Sequence, residues 1–181
     1  LRRHEFRGPH QSRLTGVGGL HRRRLPPDEC LRGLQQPAGQ KGNAQQAVEI
    51  IKTDVKAFNT KNENGFSPLI LACYRGNNEV AKVLIENNCD LNAKSEMGTA
   101  LMASIVKGNN EIAKLLIQKK VDINLTDDQG TTALMYAVQF KNINLVKLLL
   151  TNNADKSLID SKGKTAFEYA VFSGNESIIT L

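Results

Sequence analysis

The apolar positions of the chain recur in blocks, and each block holds two amphipathic stretches joined by a short polar turn. Reading from Asn62, NENGFSPLILACYRGNNEVAKVLIENNCDLN returns as SEMGTALMASIVKGNNEIAKLLIQKKVDIN, then as DDQGTTALMYAVQFKNINLVKLLLTNNADKS, and in shortened form as DSKGKTAFEYAVFSGNESIITL. Gly65, Gly98, Gly130 and Gly163 mark the period at 33, 32 and 33 residues, with one residue missing between Gly98 and Thr99. Such a period with two helical patterns per unit predicts stacked helical repeats, in which each unit leaves an apolar stripe for its neighbour to cover.

Within a unit the punctuation is local. Ser67, Thr99, Thr132 and Thr165 place a side-chain oxygen ahead of Pro68, Ala100, Ala133 and Ala166, the signature of a capped helix start. Leu69, Leu101, Leu134 and Phe167 are expected to face the core of this first helix, and Ala72, Ser104, Ala137 and Ala170 to admit a close neighbour. Gly76, Gly108 and Gly174 supply positive φ to reverse the chain, after which Asn77, Asn109, Asn142 and Asn175 are predicted to cap a second helix. Its core stripe reads Val80, Val83, Leu84, then Ile112, Leu115, Leu116, then Leu145, Leu148, Leu149.

At these residues the chain resembles the ankyrin repeat family over about residues 61 to 181. Ser67-Pro68-Leu69, Thr99-Ala100-Leu101, Thr132-Ala133-Leu134, the runs Asp127 to Gly130 and Asp160 to Gly163, and Asp90-Leu91-Asn92 with Asp122-Ile123-Asn124 carry the likeness. The resemblance implies an all-α, ankyrin-type helical solenoid with β-hairpin loops between repeats, whose concave face binds a protein partner. In that register the two residues before the interhelix Gly point toward the groove: Tyr74 and Arg75, Val106 and Lys107, Gln139 and Phe140, Phe172 and Ser173. Hairpin-tip positions extend it through Glu63, Asn64, Phe66, Met97, Asp128, Gln129, Thr131 and Lys164. The expected partner-binding set is therefore Phe66, Tyr74, Arg75, Met97, Val106, Lys107, Gln139, Phe140 and Phe172.

Departures from the family pattern are informative. Its His after the Leu is replaced by Ile70, Met102, Met135 and Glu168, so packing is expected to stand in for the usual polar network. Its late Gly becomes Asn88, Lys120 and Asn153, and Lys141 replaces the interhelix Gly of the third unit; a Lys in the left-handed region is strained. The repeats are placed at about 61–93, 94–125, 126–158 and 159–181, the last incomplete, behind a degenerate half repeat at 43–60. The chain is read as a fragment.

Composition adds a boundary. The formal net charge of +6 divides into +5 over residues 1–40, from eight Arg against three acids, and +1 over the remainder. The segment 1–42 has no sustained period and is rich in Arg, Gly and Pro, so it is expected to be a disordered arm whose sequence comes from a different coding background. Nucleic-acid contact would involve only this arm. No apolar run is long enough to span a membrane and none follows the amino-terminal arginines, which leads to the expectation of a cytoplasmic protein.

Catalytic chemistry has few residues to work with. His4, His10 and His21 all lie in the arm, so the repeats contain no Cys-His or Ser-His pair. Cys73 and Cys89 occupy small-residue slots, and Asp127-Asp128 is read as a hairpin acid and not the start of a metal site. Neither a cofactor nor a metal is expected. The leading function is a non-catalytic protein-interaction module; the alternatives are a dedicated inhibitor or protective partner of one enzyme, and a nucleic-acid-associated protein acting through the arm.

Overall fold

The computed structural model describes residues 59–180, apart from residues 63 and 88. The arm assigned to 1–42 and nearly all of the half repeat assigned to 43–60 lie outside the described residues. Among the described residues eight helices follow in pairs: α1 (Pro68–Arg75) with α2 (Asn78–Glu86), α3 (Ala100–Val106) with α4 (Asn110–Gln118), α5 (Ala133–Gln139) with α6 (Ile143–Thr151), and α7 (Ala166–Phe172) with α8 (Glu176–Ile179). First helices stack on first helices and second on second, so the core lies between two helical layers and continues from unit to unit.

Each first helix begins where a hydroxyl satisfies an otherwise orphaned N–H. Ile70, Met102, Met135 and Glu168 donate their backbone N–H to Ser67, Thr99, Thr132 and Thr165 at 3.2–3.5 Å. The replaced family His does more than pack. Ile70, Met102 and Met135 are buried, but the Met135 sulfur also accepts the Thr132 N–H at 3.5 Å. Glu168 accepts the Thr165 N–H at 2.6 Å, closing a full capping box. The expectation of packing alone fails at these two units because a flexible side chain at the third helical position reaches back to the cap.

The second helices depart from the expected stripe. Val80, Leu84, Ile112, Leu116, Leu145 and Leu149 are fully buried, whereas Val83, Leu115 and Leu148 are only half-buried. Their places in the core go to Ala81 and Ile85, Ala113 and Ile117, and Val146. Each second helix is covered by its own first helix and by second helices before or after it, which rotates the buried face by about one residue. The expected Asn caps also hold at only two positions: Asn109 accepts from Ile112 N–H at 3.5 Å and Asn142 from Leu145 N–H at 3.2 Å, while Asn77 and Asn175 make no side-chain cap.

Phe167 is a further correction. It is 57% exposed where Leu69, Leu101 and Leu134 are buried. Helices α1, α3 and α5 each pack against a following first helix, and among the described residues α7 has none.

Between units the missing residue after Gly98 tightens the loop into a true hairpin. Strands β1 (Lys94–Ser95) and β2 (Gly98–Thr99) pair antiparallel around Glu96 and Met97. Gly98 sits at φ +93°, where any side chain is strained, and a Cβ there would also press on the Met102 and Asp127 side chains. The next loop makes only an isolated bridge between Thr126 and Thr132. Neighbouring tips join through Asp128 N–H to Glu96 O at 3.3 Å and Ser161 N–H to Gln129 O at 2.8 Å.

Lys120, Lys141 and Asn153 adopt φ of +57°, +54° and +64°. The left-handed region crowds a Cβ against the following carbonyl, and Lys has no short polar side chain to compensate. Lys141→Gly should therefore raise the urea midpoint by an amount worth about 1 kcal/mol, the scale of such backbone effects. Gly108→Ala, at φ +69° with open space around it, should lower it by a similar amount.

Candidate functional site

The expected binding residues fall at the ends of the first helices and on the hairpin tips. Tyr74, Phe140, Met97 and Phe172 are 37%, 53%, 51% and 75% exposed, and Arg75, Lys107 and Gln139 are exposed beside them. Because α1, α3, α5 and α7 stack side by side, residues at the same place in each helix form rows across the units. One row reads Tyr74, Val106, Gln139, Phe172; the next reads Arg75, Lys107, Phe140, Ser173.

Two aromatic rings in these rows are held by cations. The Lys107 ammonium lies 4.9 Å from the Tyr74 ring centroid, bridging the first and second units. The Lys164 ammonium lies 4.2 Å from Phe172 and 5.8 Å from Tyr169. Ammonium over a ring face is an electrostatic attraction that holds both side chains in place while leaving N–H donors for a ligand. Other members of the expected set are less available. Phe66 is partly buried and packs against the core, Val106 is half-buried, and the tip residue Thr131 is buried, its N–H donated to Asp127.

Three polar networks were not evident from the residue types. In the first, Asp127 Oδ1 accepts N–H bonds from Gln129 and Thr131 at 2.9 and 2.8 Å, and Oδ2 accepts the Tyr136 hydroxyl at 2.7 Å. Asp160 repeats this with the N–H groups of Lys162 and Lys164 and the Tyr169 hydroxyl. The co-occurrence of Asp and Tyr nine residues apart in the last two units, against Asn62 with Leu71 and Ser95 with Ala103 in the first two, was the available signal. In the second, each Asp of the D-x-N signature accepts the N–H two residues on, and each Asn accepts the Asp N–H of the next unit: Asn59 from Asp90, Asn92 from Asp122, Asn124 from Asp155, at 2.7–2.8 Å. In the third, Asn109 donates to Asn78 and Asn142 donates to Asn110 across the starts of the second helices. Asn124, which also fits a glycosylation acceptor pattern, is thus committed to the repeat ladder.

The two tyrosines respond to these surroundings. Tyr136 is pushed up to about 12, first by burial and then by the Asp127 carboxylate it bonds. Tyr169 is also pushed up to about 12, here first by its hydrogen bond to Asp160. An unfolded tyrosine titrates near pH ~10, so below that pH both states hold their protons and stability is at its full value. Between about pH 10 and 12 the unfolded chain releases protons that the folded chain keeps, and stability falls. Urea midpoints measured across this window should drop, and Tyr136→Phe together with Tyr169→Phe should flatten the drop.

Cys73 and Cys89 are free and buried. Burial pushes both the Cys73 and the Cys89 thiol up to about 12, so neither forms a thiolate near neutral pH. Asp127 cannot open a metal site without giving up the bonds that shape its hairpin. Among the described residues, no helix is long and apolar enough to cross a membrane.

Paired helices in two layers, hydroxyl-capped first helices and hairpin tips bonded from unit to unit define a helical-repeat protein of the hairpin-linked class. The family model described as ankyrin repeats (3 copies) matches residues 37–127 and 107–181, and the chain belongs to the ankyrin repeat family. Comparison with curated proteins gives no match. Ankyrin repeats are generally protein–protein interaction modules, and the family is typically non-catalytic.

Proposed function

We propose that this chain binds a protein partner along the concave side, on the exposed ends of the first helices and the adjoining hairpin tips. The observation that carries this reading is the in-register exposure of Tyr74, Phe140 and Phe172 with Arg75 and Lys107 on one run of stacked helices. Aromatic and Arg side chains are prominent in interface energies, because a ring buries large area at a small loss of rotamer freedom and a guanidinium makes charge-assisted hydrogen bonds. Helices α2 and α4 carry interspersed Lys and Glu instead, with Lys82 and Glu111 paired at 2.7 Å, a pattern that keeps a surface solvated.

A photo-crosslinking residue at position 140 should capture the partner in its source lysate, whereas the same residue at Lys114, on a second helix, should not. With that partner in hand, Phe140→Ala should weaken binding by about 2 kcal/mol, the hot-spot scale, and leave the urea midpoint nearly unchanged. A large fall in midpoint with unchanged affinity would assign Phe140 to packing and remove its row from the site.

A further inference from the structure

The exposed first-helix ends are not uniform along the array. Resting on the concave-side reading above, we infer that the surface accepts an extended acidic segment bearing two carboxylates about three residues apart, followed three residues later by a large apolar side chain. Arg75 and Lys107 occupy one row in the first two units, and Phe140 occupies the same row in the third. Among the described residues neither Arg75 nor Lys107 has an ion-pair partner; Lys107 faces only the Tyr74 ring. Three acids of the hairpins are already engaged. Asp127 and Asp160 turn inward to their hairpins, and Asp128 lies 3.9 Å from Lys94. The row thus presents two cations without an ion-pair partner among the described residues, then an aromatic side chain.

Spacing supplies the rest. Packed helices lie ~8–10 Å apart, and a chain in the extended polyproline II form advances ~3.1 Å per residue with about three residues per turn, so every third side chain of a ligand running across the stacked helices faces the array and meets one unit. A carboxylate at one position reaches Arg75, one three residues on reaches Lys107, and an apolar group after a further three meets Phe140. Arg favours bidentate carboxylate contacts, and a Lys already held over a ring is oriented before binding. Nucleic acid fits less well, because a phosphate chain carries charge at every step, whereas the row offers Phe140 in the third unit where a further cation would be needed.

The test uses the full chain and a fluorescein-labelled peptide carrying Glu, Glu and Phe at three-residue intervals in a Gly/Ser background, read by fluorescence anisotropy. Three companion probes are the peptide with Gln for both Glu, a permuted peptide with Phe between the two Glu, and a thymidine oligonucleotide. The Glu peptide should bind at least about tenfold more tightly than the Gln or permuted peptide, and weaken as salt rises. Arg75→Glu with Lys107→Glu should lower its affinity at least about tenfold, while Lys114→Glu with Lys147→Glu, an equal charge change on the second helices, should change it less than about twofold.

If the Gln or permuted peptide binds as tightly as the Glu peptide and Phe140→Ala still weakens it, the acidic assignment is overturned while the concave-side reading stands. If the Glu peptide binds but neither Arg75→Glu with Lys107→Glu nor Phe140→Ala weakens it, both are overturned. No binding of the Glu peptide, or tighter binding of the oligonucleotide than of the peptide, overturns the acidic-segment assignment.

Discussion

Leu116→Ala should be among the most destabilising single truncations in the array, with a loss of about 2–5 kcal/mol in urea unfolding. Leu116 is fully buried in α4, and α4 packs on α2, α3 and α6. A repeat array is held by contacts between neighbouring units, so a cavity in the second unit weakens the interfaces on both sides of it. Leu115→Ala removes the same atoms from the adjacent position, which is only half-buried, and should cost far less. Equal losses at the two positions would show that the core stripe includes Leu115 as fully as Leu116, as the sequence pattern suggests. A loss at Leu116 near that of an exposed site would mean that the second-helix layer is not packed as described.

Asp127→Ala should produce the second large effect, about 3 kcal/mol, because one buried carboxylate satisfies three donors. Removing it leaves the N–H groups of Gln129 and Thr131 and the Tyr136 hydroxyl without their acceptor. Asp127→Asn should be milder, since Asn62 at the corresponding place uses its single amide oxygen to accept two N–H groups, from Asn64 and Phe66, at 3.1 and 2.9 Å. A double-mutant cycle with Tyr136→Phe isolates the hydroxyl contribution, which should account for about 1 kcal/mol of the total. If Asp127→Ala and Asp127→Asn proved equal, the backbone N–H bonds would not be shaping the loop, and the hairpin would have to be held by the tip-to-tip bonds instead.

The limits of sequence reading follow from where each interaction lies along the chain. Helix starts at Ser67, Thr99, Thr132 and Thr165 were legible because a cap joins residues three apart, and so were the turns at Gly76, Gly108 and Gly174, where φ is positive. The 33-residue period was legible for the same reason: each unit repeats one local design. The exposed places of Tyr74, Arg75, Lys107 and Phe140 follow from register alone, and their use in binding is a separate proposal. The three Asn bonds of the D-x-N ladder join residues 30 or 31 apart, and their partners are identified only when successive units are stacked. The same is true of Lys107 over Tyr74, 33 positions away. Burial on the second helices was misread at Val83, Leu115 and Leu148 because periodicity locates an apolar face but not its centre, which depends on the angle at which the next helix arrives. Phe167 shows the same dependence at one residue. Its place in the repeat matches that of three buried leucines, yet it is exposed, because burial belongs to a pair of surfaces and the chain's local pattern describes only one of them.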